Sequence, residues 1–154
     1  SLRISGGQLR AAAEALDAGV RAALDEAIDR VRRTTAAQVP EERVTEVAPG
    51  ARIRQRWQPV DRVGLYVPGG KAVYPSSVVM NVVAAQVAGV RSIALVSPPQ
   101  AAHGGSVHPV ILGAASLLGV DEVYAMGGAG AIGALAYGVA DLGLEPVQVI
   151  TGPG

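Results

Sequence analysis

Asp61-Arg62-Val63-Gly64-Leu65-Tyr66-Val67-Pro68-Gly69-Gly70-Lys71 runs on into Ala72-Val73-Tyr74-Pro75-Ser76-Ser77. An apolar β-like run from Gly64 to Val67 stops in a Pro-Gly-Gly turn, and a helix-like apolar segment opens at Ser76. A strand ending in a glycine turn before a helix leaves backbone N–H groups facing open space. Unpaired amides and the helix dipole both favour an anion there, so the turn suits a nucleotide phosphate. A tight strand-to-helix turn with no ligand is the plainer alternative. A Walker A loop is excluded, because Leu65 stands where its first glycine belongs and Ala72 where its Ser or Thr belongs.

Downstream the pattern repeats. Gly89-Val90-Arg91-Ser92-Ile93-Ala94-Leu95-Val96 is echoed by Gly119-Val120-Asp121-Glu122-Val123-Tyr124-Ala125-Met126 and by Gly143-Leu144-Glu145-Pro146-Val147-Gln148-Val149-Ile150. Each reads as a glycine helix stop, two mostly polar residues and a short β-rich run. Helix-like segments 76–88, 107–118 and 131–139 precede the three copies, giving β-α-β-α-β-α-β. That alternation predicts an α/β fold with a parallel sheet and right-handed crossovers. Ligands of such sheets sit at the carboxyl ends of the strands. Here those ends are Pro68-Gly69-Gly70, Ser97-Pro98-Pro99, Gly127-Gly128-Ala129-Gly130 and Thr151-Gly152-Pro153-Gly154.

Upstream, Leu9, Ala13, Leu16, Val20, Leu24, Ile28 and Val31 recur at three- and four-residue steps. They predict one long helix or two consecutive ones over 8–38, with Gly19 as a possible break and a stripe that needs a partner. Residues 44–47 and 51–57 read as two strands around Pro49-Gly50. Arg52, Arg54 and Arg56 make one face of the second strand basic, either to bind an anion or to protect an exposed edge.

Composition narrows the classes. The 154 residues hold no Phe, so the core must be Ala, Val, Leu and Ile. Thirteen basic residues balance thirteen acidic ones, which argues against nucleic acid or an anionic membrane as partner. Cysteine is absent, so disulfides, thiolate nucleophiles and Cys-based metal sites are excluded. No signal-like segment and no uninterrupted apolar span are present, and a cytoplasmic location is expected.

Three motifs carry possible chemistry. Gly128-Ala129-Gly130-Ala131-Ile132-Gly133 matches G-x-G-x-x-G between a predicted strand and helix, but no acidic residue ends the following strand. Phosphate contact fits it better than a standard dinucleotide fingerprint. His103 and His108 share a loop with no third donor, so exposed loop histidines are expected rather than a metal pair. Lys71 either touches a phosphate or is a solvated turn residue.

The stretch from Asp61 to Asn81 closely resembles histidinol dehydrogenase, as do Gly127-Gly128-Ala129 before Ala131-Ile132, Ala136-Tyr137-Gly138 and Thr151-Gly152-Pro153-Gly154. The similarity is weaker over the first sixty residues, and it covers the amino-terminal part of a much longer protein. The resemblance implies an NAD- and zinc-dependent enzyme that oxidises the small molecule L-histidinol to L-histidine in histidine biosynthesis, as a homodimer. It implies that 63–154 form a Rossmann-like domain. Residues 1–62, the helix plus hairpin, would begin a second such domain, completed by chain beyond Gly154; on that view the long helix has no partner here.

Carried over residue by residue, the resemblance gives Tyr66 an NAD contact and puts Gly130 where the family has a cofactor-binding Gln. The candidate cofactor-binding residues are Tyr66, Pro68, Gly128 and Gly130. Ala84 replaces a usual Pro, and Thr34-Thr35 a usual Phe-His pair. The catalytic Glu-His pair and the zinc ligands belong to sequence past Gly154. The chain alone is therefore expected to hold no catalytic or metal-ligating residue and to be inactive. A related sulfopropanediol dehydrogenase and a truncated, non-catalytic nucleotide-binding module are the alternatives. A chain truly ending after its last strand would leave that sheet face uncovered, marginally stable and prone to self-association.

Overall fold

The structure, a computed structural model, describes residues 2–69 and 72–153. The expectations placed on Gly70, Lys71 and Gly154 lie outside those residues. Two helices come first, α1 (Gly6–Glu14) and α2 (Ala18–Ala36), then an antiparallel hairpin of β1 (Arg43–Ala48) and β2 (Ala51–Gln55). The alternating part follows as β3 (Arg62–Tyr66), α3 (Pro75–Val87), β4 (Ser92–Ser97), α4 (Pro109–Leu117), β5 (Val123–Ala125), α5 (Gly128–Tyr137) and β6 (Val149–Thr151). Its four strands are all parallel, in the order β5-β4-β3-β6. The α/β class, the parallel sheet and the element order match the sequence pattern.

Side chains alternate across the sheet as a period of two demands. Val63, Leu65, Val67, Leu95, Val123 and Ala125 join α3 and α4 in one core. Ala94, Val96 and Tyr124 face α5 through Ala131 and Leu135 in another. Gly64 has no side chain because a Cβ there would lie 2.9 Å from Leu135 Cδ1. The residue after each of α3 and α4 is capped as expected. Gly89 (φ 86°) and Gly119 (φ 71°) are left-handed, and the amides of Val90 and Val120 return to the carbonyls of Ala85 and Ala115. The third glycine differs. Gly143 ends a short 3₁₀ turn, Ala140–Leu142, because α5 has already stopped at Gly138 (φ 75°).

The amino-terminal helices, expected to lack a partner in this chain, pack on α3 and α4. α1 packs on α4 and α2 on α3, making a further layer over the same core, with Leu9 and Leu24 buried. A Cβ at Gly113 would lie 2.9 Å from Leu16, so α4 offers a flat seat to that leucine. The break falls before Gly19, at Asp17, whose Oδ1 accepts from the amides of Gly19 (2.8 Å) and Val20 (3.2 Å). The shift in phase leaves Val20 38% exposed, outside the stripe in which it was expected. Residues 2–4 run beside β5, with Ile4 N donating to Val123 O and Ala125 N to Leu2 O, and cover that edge. By contrast, every residue of the hairpin is exposed. Among the described residues no helix is long and apolar enough to cross a membrane.

A charge network closes the amino ends of the strands. Arg62 forks onto Glu122, with Nη2 to Oε1 at 2.7 Å and Nη1 to Oε2 at 2.8 Å, and Nη1 also reaches Ser92 Oγ. Tyr124 Oη donates to Glu122 Oε1 at 2.8 Å, and the Arg3 guanidinium lies over the Tyr124 ring.

Candidate functional site

Strand order decides where a ligand can lie. From β3 the chain steps to β4 and β5, then crosses back to place β6 on the other side of β3. Successive connections diverge between β3 and β6, which makes that gap the topological switch point of the sheet. Crevices form there, outside the carboxyl ends of the strands. A cleft of about 320 Å³ does open there, lined by Tyr66, Gly128, Ile132, Ile150, Thr151, Gly152 and Pro153.

Tyr66 organises the cleft. It ends β3, and its Oη accepts the amide of Gly128 at 3.2 Å, tying the strand end to the start of α5. That bond leaves the phenolic hydrogen free to donate. A Cβ at Gly152 would collide with the Tyr66 carbonyl oxygen, so only glycine lets the turn after β6 close over Tyr66. Gly127, the N-cap of α5, has no side chain to meet the first-turn amides, which favours an anion at that end. Gly128 adopts φ 66°. Ile132 is 41% exposed on the wall of the cleft, and Ile150 and Pro153 add apolar surface.

The four residues singled out from sequence divide into two pairs. Tyr66 and Gly128 are brought together. Gly130 stands in the first turn of α5, exposed, with nothing within 4 Å of where a Cβ would sit. It does not line the cleft, and neither does half-buried Pro68 in the turn after β3. Thr151, Gly152 and Pro153 belong to a strand end expected to bear a ligand, whereas Ile132 and Ile150 were missed because strand order is not readable from alternation alone.

Two glycines at these ends are also required by packing. A Cβ at Gly127 would lie 2.6 Å from Pro98 Cγ, and one at Gly69 would lie 3.3 Å from Pro98 Cδ and from Ser97 Oγ. Pro98 is thus wedged between the turn after β3 and the turn after β5. Below it Ser97 is 1% exposed, and among the described residues its Oγ has no hydrogen-bond partner.

The histidines are not the exposed loop residues expected. Both are half-buried and meet edge to face, with centroids 4.6 Å apart. His108 Nδ1 accepts from Val110 N at 3.2 Å and so caps α4. Burial, then the neighbouring His103, pushes its pKa below the usual histidine value. Among the described residues no group of three or more His, Cys, Asp or Glu could hold a metal ion. A larger apolar groove of about 400 Å³, with Val39, Trp57, Pro59 and Ala84 on its walls, lies away from the strand ends.

Comparison with known proteins places this geometry. The family model described as histidinol dehydrogenase matches residues 1–154. The histidinol dehydrogenase of Leifsonia xyli subsp. xyli is 73% identical over 154 residues, a match covering all of this chain and 35% of that protein. That of Corynebacterium efficiens is 57% identical, covering 100% of this chain and 34% of its own length. The crystal structure of histidinol dehydrogenase from Elizabethkingia anophelis superposes with a TM-score of 0.92 at 31% identity, covering 100% of this chain and 35% of that one. The chain spans about a third of the length of the curated relatives it matches.

Proposed function

This chain belongs to the histidinol dehydrogenase family, and on that premise we propose that it is the cofactor-side portion of an NAD-dependent enzyme that oxidises L-histidinol to L-histidine. The observation that carries the reading is the cleft at the β3–β6 switch point, where the Tyr66 hydroxyl and the uncapped start of α5 meet. When bound, NAD supplies the hydride acceptor. The residues of this chain bind and orient it. The amino end of α5 attracts a diphosphate, the Tyr66 hydroxyl donates a hydrogen bond, and Ile132, Ile150 and Pro153 cover an apolar part of the ligand.

The residues present do not fit a zinc site among those described, so no step is derived through zinc. We place the zinc ligands and the catalytic acid–base pair in the remaining two-thirds of the longer protein and expect this chain alone to show no turnover. We further propose that the exposed hairpin is the part of residues 1–62 that belongs to a second unit, and that the whole enzyme is a cytoplasmic homodimer, as the family resemblance implies. An NADH fluorescence titration of the chain tests the cofactor reading. Saturable binding supports it, and no saturation at millimolar NADH counts against it.

One residue favours a second reading, that of an α/β module which binds nucleotide weakly or not at all. Gly130 replaces the amide side chain that the resemblance assigns to the cofactor, and the space beside it is open.

A further inference from the structure

We propose that Asn81 is a positioning residue for this cleft, holding its β6 wall from the opposite face of the sheet. β6 is an edge strand of three residues, paired with β3 through Val63↔Val149, Gly64↔Ile150 and Leu65↔Thr151. Past Thr151 the ladder ends, and Gly152 and Pro153 continue as the cleft wall. So short an edge strand is held weakly by its backbone alone. Gln148 secures its start, accepting at Oε1 from the amides of Asp61 and Arg62, and a side chain secures its other end. Thr151 Oγ1 donates to Asn81 Oδ1 at 3.0 Å, while Asn81 Nδ2 donates to the Ser77 carbonyl at 2.8 Å.

The two bonds use the two ends of one carboxamide. Donation to Ser77 O sets which way the amide faces and leaves Oδ1 as the acceptor for Thr151. α3 is a firm base for such a group, since Val78, Val79, Val82 and Val83 are all buried within it. Thr151, opposite Leu65, bonds on the α3 side of the sheet while its neighbour Ile150 packs on the α5 side, as strand alternation requires, and both line the cleft. Asn81 does not line the cleft and acts on it through Thr151. Its effect is to set how far Thr151-Gly152-Pro153 stands from Tyr66.

The inference rests on the cofactor reading where binding is concerned, so the test carries a readout that does not need the cofactor. Hydrogen exchange of the 149–152 amides is measured on the free chain of Asn81→Leu, Thr151→Val, Thr151→Ser and the double variant, with NADH titrations in parallel. Loss of either partner should speed exchange and weaken NADH binding about fivefold, the worth of one ordinary hydrogen bond. The double variant should be no worse than either single one, because both remove the same contact. Thr151→Ser keeps the hydroxyl and should behave as the parent. Unchanged exchange in Asn81→Leu, or additive effects in the double variant, overturns the proposal. Faster, coupled exchange in a chain that binds no NADH upholds the positioning role and removes the cofactor reading alone.

Discussion

The two ends of one sheet pair their polar groups to different degrees. At the amino ends Arg62, Ser92, Glu122 and Tyr124 are bonded to one another, and Arg62 Nε also donates to the carbonyl of Glu145. At the carboxyl ends, among the described residues, Ser97 Oγ has no partner, and α3 and α5 begin without a side-chain cap bond. Buried polar groups in folded proteins are nearly always paired, so an end that leaves them unmet stands out. The amino end uses its polar groups for stability. The carboxyl end pairs some of its own, Tyr66 with the Gly128 amide and Thr151 with Asn81, and leaves others available at the place where parallel sheets bind ligands.

The largest expected effect follows from breaking the closed end. The Arg62 and Glu122 side chains are 15% and 14% exposed, so removing either leaves the other largely buried and unpaired. Arg62→Ala should cost about 3 kcal/mol in chemical denaturation, with NADH affinity of the folded chain unchanged. pH provides a second view of the same network. Burial would raise the Glu122 pKa, but hydrogen bonds from Arg62 and Tyr124 and the charge of Arg62 outweigh it and hold the group below its usual value. The unfolded chain then binds the proton more readily, so this contribution is present above 4.5 and is lost as pH falls below it. Tyr124 behaves conversely. Burial and the bond to Glu122 push it up to about 12, and its contribution is lost as pH rises from 10 towards that value. Glu122→Gln should flatten the acid limb of the stability curve. An unchanged acid limb would mean that the network does not couple to folding.

A smaller loss, about 2 kcal/mol, is expected from Gly127→Ala, whose Cβ would run into Pro98. This variant tests whether the open end is rigid. If it folds with parental stability, the turns around Pro98 give way easily and the contrast between the ends weakens. Smaller again is Gly130→Gln. The side chain would enter open space and replace a glycine inside a helix, gaining about 0.5 kcal/mol in stability. If the family's amide is what this chain lacks, NADH binding should tighten several-fold in the same titration. Unchanged binding would show that Gly130 is not what limits affinity.

How much of this could be read in advance depended on the range of the interaction. Local signals were sufficient for the strands, the α3 and α4 stops at Gly89 and Gly119, and the hairpin, because periodicity and glycine geometry act within a few residues. Tyr66 and Gly128 were reached through family resemblance, and the structure joins them. What escaped was long-range. The seat of Leu16 on Gly113 joins residues far apart in the chain, as does the pairing of Arg3 with Tyr124. No period or spacing encodes the placing of β6 beside β3, and with it the Ile150 and Thr151 wall of the cleft. The cap that His108 gives α4 was hidden for another reason: histidine is not among the side chains that usually announce a helix start.

The smallest expected effect bears most directly on what the open end is for. Ser97 Oγ is buried and has no partner among the described residues, where a hydroxyl bears a desolvation cost without the return of a hydrogen bond. Removing it in Ser97→Ala should change stability by less than about 0.5 kcal/mol, with a stabilising sign, because relief of that cost offsets the small void. A loss above about 1 kcal/mol would show that the hydroxyl is bonded in solution and that the carboxyl end is as closed as the amino end. The outcome with added NADH separates two uses of the residue. If the variant matches the parent both free and with cofactor, Ser97 only supports the turn beneath Pro98. If it matches the parent when free and is less stabilised by NADH, the hydroxyl finds its partner only when the cofactor is bound, and the unmet group belongs to the binding end in energy as well as in position.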